Sequence, residues 1–184
     1  IVGQKVASQP IVKPYGVAVY GDKIYICDTV LNSIIILDLR KRKFEYFRPK
    51  EQSQLSSPIN LSFDTNGDMY LADARRGQVM IFDKAGNFLG AIGKNEELKP
   101  TSVLVKQDKV YICDLKSHSV KVFGLKFRQF LFSIPKEDSS EEARLFSPTN
   151  MAIDEEGNLY VSDTGAFRVQ KYGPDGEFLM SIAS

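Results

Sequence analysis

The stretch PTNMAIDEEGNLYVSD, residues 148–163, has three relatives in the same chain: PYGVAVYGDKIYICD from Pro14, PINLSFDTNGDMYLAD from Pro58 and PTSVLVKQDKVYICD from Pro100. Each copy opens on proline and closes on aspartate. Pro14, Pro58, Pro100 and Pro148 stand 44, 42 and 48 residues apart, and the extra length falls in polar linkers such as PKEDSSEEARLFS, residues 135–147. Similarity at a fixed period marks a repeat architecture, in which one unit buries its apolar face only against the next. The units are 14–57, 58–99, 100–147 and 148–184. Residues 1–13 are left to supply an outer strand of a preceding unit or a closing strand.

Within each copy the pattern is that of strands. A short apolar run follows the proline, then comes a polar turn (GDK, DTNGD, KQDK, DEEGN), then a second run ending in aspartate. Polar turns rich in Gly, Asn and Asp between β-branched and apolar runs are hairpin signals. A third run (SIIILDL, QVMIFD, SVKVFG, RVQKYG), a further turn and a fourth run (FEYF, FLGAIG, FLFSI, FLMSI) complete the unit. Four strands at a period near 45 predict an all-β chain folded as a β-propeller, with four four-stranded blades present here. No copy carries a helical period, which sets the helical solenoids aside.

The same residues resemble the NHL repeat: Pro-x-Gly-Val-Ala-Val, then Tyr-Val-x-Asp, a polar loop, Arg-Val-x-x-Tyr and Asp-Gly-x-Phe-Leu. The likeness covers residues 14–184, strongest in the last copy and weakest in the first, where LRKRKFEYF replaces the Asp-Gly turn. It implies a propeller that is mostly six-bladed, of which these four form part; a compact four-blade ring and an oligomer self-associated from partial rings are the alternatives. It also implies a binding platform for protein, peptide, glycan or RNA, and less often an enzyme.

Composition agrees with a packed domain: 184 residues, 43% hydrophobic, net charge +1. No apolar run reaches the ~20 residues of a membrane-spanning helix, and no charged-then-apolar leader is visible. The chain opens on Ile1 and not Met, which suggests that an upstream stretch has been removed. Two cysteines are too few for a disulfide scaffold or a four-ligand zinc site.

Cys27 and Cys113 occupy a position held by Ala72 and Ser162 in the other copies, always a small side chain. Copies one and three are separated by a whole blade, and a disulfide needs Cα atoms within about 7 Å, so both are read as buried packing thiols. Asp28, Asp73, Asp114 and Asp163 form a ring that invites a cation; the structural reading is the stronger, with each carboxylate accepting loop N–H groups. Tyr25, Tyr70, Tyr111 and Tyr160 recur in the same way and are expected between blades.

Residues that break the repeat are the better functional candidates. They gather after the aspartates and after the prolines, in loops that open on one face: Tyr15, Asn32, Asn60, Arg75, Arg76, Lys116, His118, Asn150, Phe167 and Arg168. Arginines mixed with an exposed aromatic suit recognition of carboxylate, phosphate or a protein partner, and the partner expected is a protein, peptide or glycan. The expectation is a non-enzymatic binding or scaffold module with no cofactor and no metal.

A divalent-metal lactonase or lyase of propeller type is the alternative. Amidating lyases of similar fold need several histidines, and only His118 is present; lactonase-type sites make Asn60, Asn150 and the aspartates conceivable ligands, but no glutamate sits on an inner strand. Single-stranded RNA is a third reading, resting on RKRK at residues 40–43 with Lys126 and Arg128; the small net charge dilutes it. Resemblance to exported bacterial NHL proteins points to the cell envelope or outside.

Overall fold

The computed structural model describes residues 11–93 and 97–182, so most of the segment 1–13 lies outside the described residues. Sixteen strands make four antiparallel sheets of four. The first holds β1 (Pro14–Tyr20), β2 (Lys23–Asp28), β3 (Ser33–Asp38) and β4 (Lys43–Phe47). The second holds β5 (Pro58–Phe63), β6 (Met69–Asp73), β7 (Gln78–Phe82) and β8 (Phe88–Ile92). The third holds β9 (Pro100–Lys106), β10 (Lys109–Asp114), β11 (Ser119–Gly124) and β12 (Phe130–Ile134), and the fourth β13 (Pro148–Ile153), β14 (Leu159–Asp163), β15 (Arg168–Tyr172) and β16 (Phe178–Ile182). Strand order within each sheet follows the chain, as expected for propeller blades. Among the described residues no helix is long and apolar enough to cross a membrane.

Each blade proline opens the innermost strand, an edge strand, where the missing N–H costs no ladder bond. Consecutive inner strands pack in the order β1, β5, β9, β13. The exposed edge of β9 is met by side chains of the preceding blade: Val103 donates its N–H to Asn60 Oδ1 at 2.9 Å, and Val105 donates to Ser62 Oγ at 3.0 Å. That blunts the unpaired edge which such a strand otherwise presents.

The core is divided among the blade boundaries. Cys27 and Ile34 of the first blade meet Leu61, Leu71, Met80 and Phe82 of the second. Tyr70, Val79 and Ile81 meet Val103, Val110 and Ile112, and Cys113, Val120 and Val122 meet Met151, Leu159 and Tyr172. Alternate residues of one strand therefore serve two different cores, which is why the second and third strands of the middle blades read as nearly continuous apolar runs. Both cysteines are free and fully buried, as read from the sequence. Burial pushes the Cys113 thiol up to about 12 and moves Cys27 in the same direction. On the other side of β1, Val17 and Val19 are about two-thirds exposed (66% and 64%), so among the described residues no blade covers that side.

Candidate functional site

The proline and aspartate of each copy pair across the first hairpin: Pro14 with Asp28, Pro58 with Asp73, Pro100 with Asp114, Pro148 with Asp163. This places the start of every inner strand, the loop after every second strand and the linkers between blades at one end of the sheets. We call it the upper face.

The aspartates clasp linker to loop. Asp28 accepts N–H bonds from Val12 and Lys13 on one oxygen and from Val30 and Leu31 on the other. Burial disfavours its charge, but these four donors outweigh that and hold the carboxyl below its ordinary value. Asp73 accepts from Ser56, Ser57 and Arg76, Asp114 from Lys99, Lys116 and the Ser117 hydroxyl, and Asp163 from Phe146 and Ser147. Asp28, Asp73 and Asp114 are engaged on both oxygens by their own blades, whereas Asp163 takes both bonds on Oδ1 and keeps Oδ2 3.5 Å from Arg168 Nε. Among the described residues no three His, Cys, Asp or Glu side chains gather as metal ligands.

Beside the axis the inner strands share an irregularity. Register slips between Pro14 and Val17, between Pro58 and Asn60, opposite Asp114, and between Pro148 and Asn150. A bulge of this kind turns a side chain out of the ladder. Tyr15, Asn60, Thr101 and Asn150 thereby line one small axial pocket of about 200 Å³. Asn60 and Asn150 are committed within it: Asn60 holds the Val103 N–H, and Asn150 Oδ1 accepts from the Ser102 hydroxyl and the Met151 N–H. Tyr15 is 70% exposed.

The loop residues divide into two groups. Arg76 donates to the carbonyls of Gln54 and Gln52 at 3.1 and 2.9 Å, and Arg168 donates to the Arg144 carbonyl at 2.6 Å while lying 3.5 Å from Asp163. Both guanidiniums fasten a linker to its blade. Asn32, with its amide nitrogen turned toward Ser56, donates to that linker carbonyl and does the same work. His118 Nδ1 bonds to the Phe146 carbonyl. Arg75, Lys116 and Phe167 are exposed.

Sequence reading missed one regularity. Asn32, Gly77, His118 and Phe167 stand four residues after their aspartates and all have positive φ: 48°, 64°, 51° and 55°. Glycine and asparagine take this left-handed conformation readily, whereas a phenylalanine there is strained. Phe167 is also 84% exposed. Its neighbourhood includes Phe146: the Arg168 guanidinium lies 6.0 Å over that ring, and Gly165, two residues before Phe167, is backed by its Cβ. An aligned count of positions after each aspartate would have found the outlier; its backbone angle could not be read from letters.

No protein-family model matches the chain, and no curated protein is similar to it. Solved structures are similar in fold. A virginiamycin B lyase from Staphylococcus aureus, crystallised as a catalytically inactive variant with quinupristin, superposes with a TM-score of 0.72 at 11% identity, over 91% of this chain and 54% of its own. A streptogramin B lyase gives 0.73 at 15% identity, covering 94% and 55%. The hydrazine synthase of Kuenenia stuttgartiensis gives 0.72 at 15%, covering 99% and 52%. These are β-propellers, and the chain is a propeller of four-stranded blades that spans about half their length. At such identities the likeness is one of fold.

Proposed function

We propose that the chain is an array of NHL-type blades whose upper face binds a protein or peptide segment bearing carboxylates, without chemistry of its own. The observation that carries this is Phe167, a strained and exposed aromatic. Strain of this kind is kept where function uses it, and exposed aromatics are the usual anchors of interfaces. Phe146, about half exposed, extends the apolar area. Arg75 and Lys116 carry positive charge in the loops after the second strands, whereas the acidic turn Glu141–Ala143 packs beside the outer strand β16. Cations toward the axis and carboxylates toward the rim favour an anionic segment laid across the middle.

A divalent-metal lyase or lactonase is the second reading, supported by the fold shared with two lyases. It requires donors that converge, and Asn60 and Asn150 already hold protein hydrogen bonds. The RNA reading loses charge to local pairing, since Arg40 pairs with Asp22 and Lys41 with Asp38.

The test is affinity capture with the wild type beside a Tyr15→Ala, Arg75→Ala, Phe167→Ala variant, which spares the linker-holding Arg76 and Arg168. A partner held by the wild type and released by the variant supports the reading. Equal retention rejects the face, and stoichiometric zinc or calcium by elemental analysis would favour the lyase.

A further inference from the structure

The lower face, opposite the upper one, carries the turns between third and fourth strands, and these turns close the blade boundaries in different ways. In the last three blades one residue with positive φ donates its N–H back to the first carbonyl of the turn: Gly86 to Asp83, Arg128 to Gly124, Gly176 to Gly173. The three are equivalent, and each touches the blade before it.

Between the third and fourth blades Gly176 sits against Phe132 and Ile134, and the boundary is filled. Between the second and third, Arg128 enters instead, and a cleft of about 720 Å³ stays open beside it along Ile92, Lys121, Phe123 and Phe130. Its guanidinium donates to the Leu89 carbonyl at 3.0 Å, its charge lies beside the Tyr70 hydroxyl, and Gly90 leaves it room, since a Cβ there would meet the Arg128 Nη1 at 2.9 Å. Tyr70 is almost fully buried as a result (3% exposed).

Between the first and second blades Gly86 sits against Phe47, and the side chains of Arg128 and Phe132 have no counterpart. Gly86 replaces the arginine, and Glu45 stands where the register puts Gly90 and Phe132, opposite Ile36 as they stand opposite Ile81 and Val122. A cleft of about 260 Å³ remains, walled by Tyr20, Tyr25, Phe47 and Phe63 with Glu45 at its side. Tyr20 and Tyr25 both pack on Phe63, with ring centroids 4.8 and 4.6 Å away. Lys23, Lys84 and Asp83 also border the cleft; Lys23 acts on Asp38, and the Asp83 carboxylate is occupied by N–H groups of Ala85 and Asn87.

We propose that this cleft is a second binding site, which takes the planar guanidinium of an arginine side chain from a partner peptide. The tyrosine rings would stack on it and Glu45 would accept its N–H donors, at the level where Arg128 donates to the Leu89 carbonyl in the next boundary. The inference is independent of the upper face.

The probe is N-acetyl-arginine methylamide, followed through the tyrosine ring resonances by NMR. We expect saturable shifts of Tyr20 and Tyr25 in the wild type and weaker binding of the lysine analogue, which lacks the planar fork. Glu45→Gln should weaken binding about tenfold. Gly86→Arg should supply its own guanidinium and abolish saturation. Absence of saturable shifts in the wild type, or unchanged affinity in Glu45→Gln, would each overturn the proposal.

Discussion

Asn60 carries its side-chain oxygen across a blade boundary to the backbone N–H of Val103, 2.9 Å away and 43 residues on in the chain. The inner strand β9 has no fifth strand to pair with, so this bond supplies part of its edge. Asn60→Ala leaves the Val103 N–H without a protein acceptor in a part-buried place, which should cost about 1–3 kcal/mol of stability. Urea denaturation followed by circular dichroism checks it. A midpoint equal to that of wild type would mean that the blades are held by apolar packing alone.

Arg75 and Arg76 are neighbours with different work. Arg76 gives two N–H bonds to linker carbonyls, and Arg75 is exposed. Arg76→Ala should lower stability by about 1–2 kcal/mol, whereas Arg75→Ala should stay within about 0.5 kcal/mol of wild type and act on partner capture instead. Thermal melts of the two variants separate them.

Asp28 makes stability depend on acid. Its carboxyl titrates below the ordinary value because four backbone N–H groups favour the charged form against burial. A group depressed in the folded state contributes stability that is fully present above its unfolded value, about 3.9, and is lost as pH falls through the folded one. Urea midpoints should therefore fall from about pH 5 downward. Asp28→Asn should have a lower midpoint at neutral pH and a flatter acid limb; an acid limb identical to wild type would place the effect in other carboxylates.

Cys27 and Cys113 should be silent in the folded protein. Neither is accessible, and burial raises both thiols away from the reactive thiolate. Iodoacetamide at pH 8 should add nothing to the native mass and two adducts in denaturant. Modification of the native chain at either position would show that a blade boundary opens.

Much of this was legible in the letters because the repeat supplied its own comparison. Four aligned copies show that a small residue belongs at Cys27 and that an aspartate recurs at Asp28, where four backbone N–H groups meet it. The fate of the polar departures was not legible. Arg76 and Arg75 are the same letter, and only the path of the linker at residues 52–54 decides that one is tied down. The bulges after the prolines were hidden for a similar reason. An inserted residue shows in register, which depends on the partner strand, and not in a hydrophobic pattern.

Phe167 joins stability to function in the last prediction. Its φ of 55° is one that Gly77 and Asn32 adopt readily at the equivalent place. Phe167→Asn should relieve that strain and stabilise the fold by about 0.5–1 kcal/mol, a rise of about 1–4 °C in Tm for a domain of this size. The same change removes the most exposed aromatic of the upper face, so partner capture should weaken as the melting temperature climbs. Opposite signs in the two measurements are what a strained anchor requires. A variant that gains stability and keeps its partner would assign the strain to the fold's history and move the binding surface elsewhere.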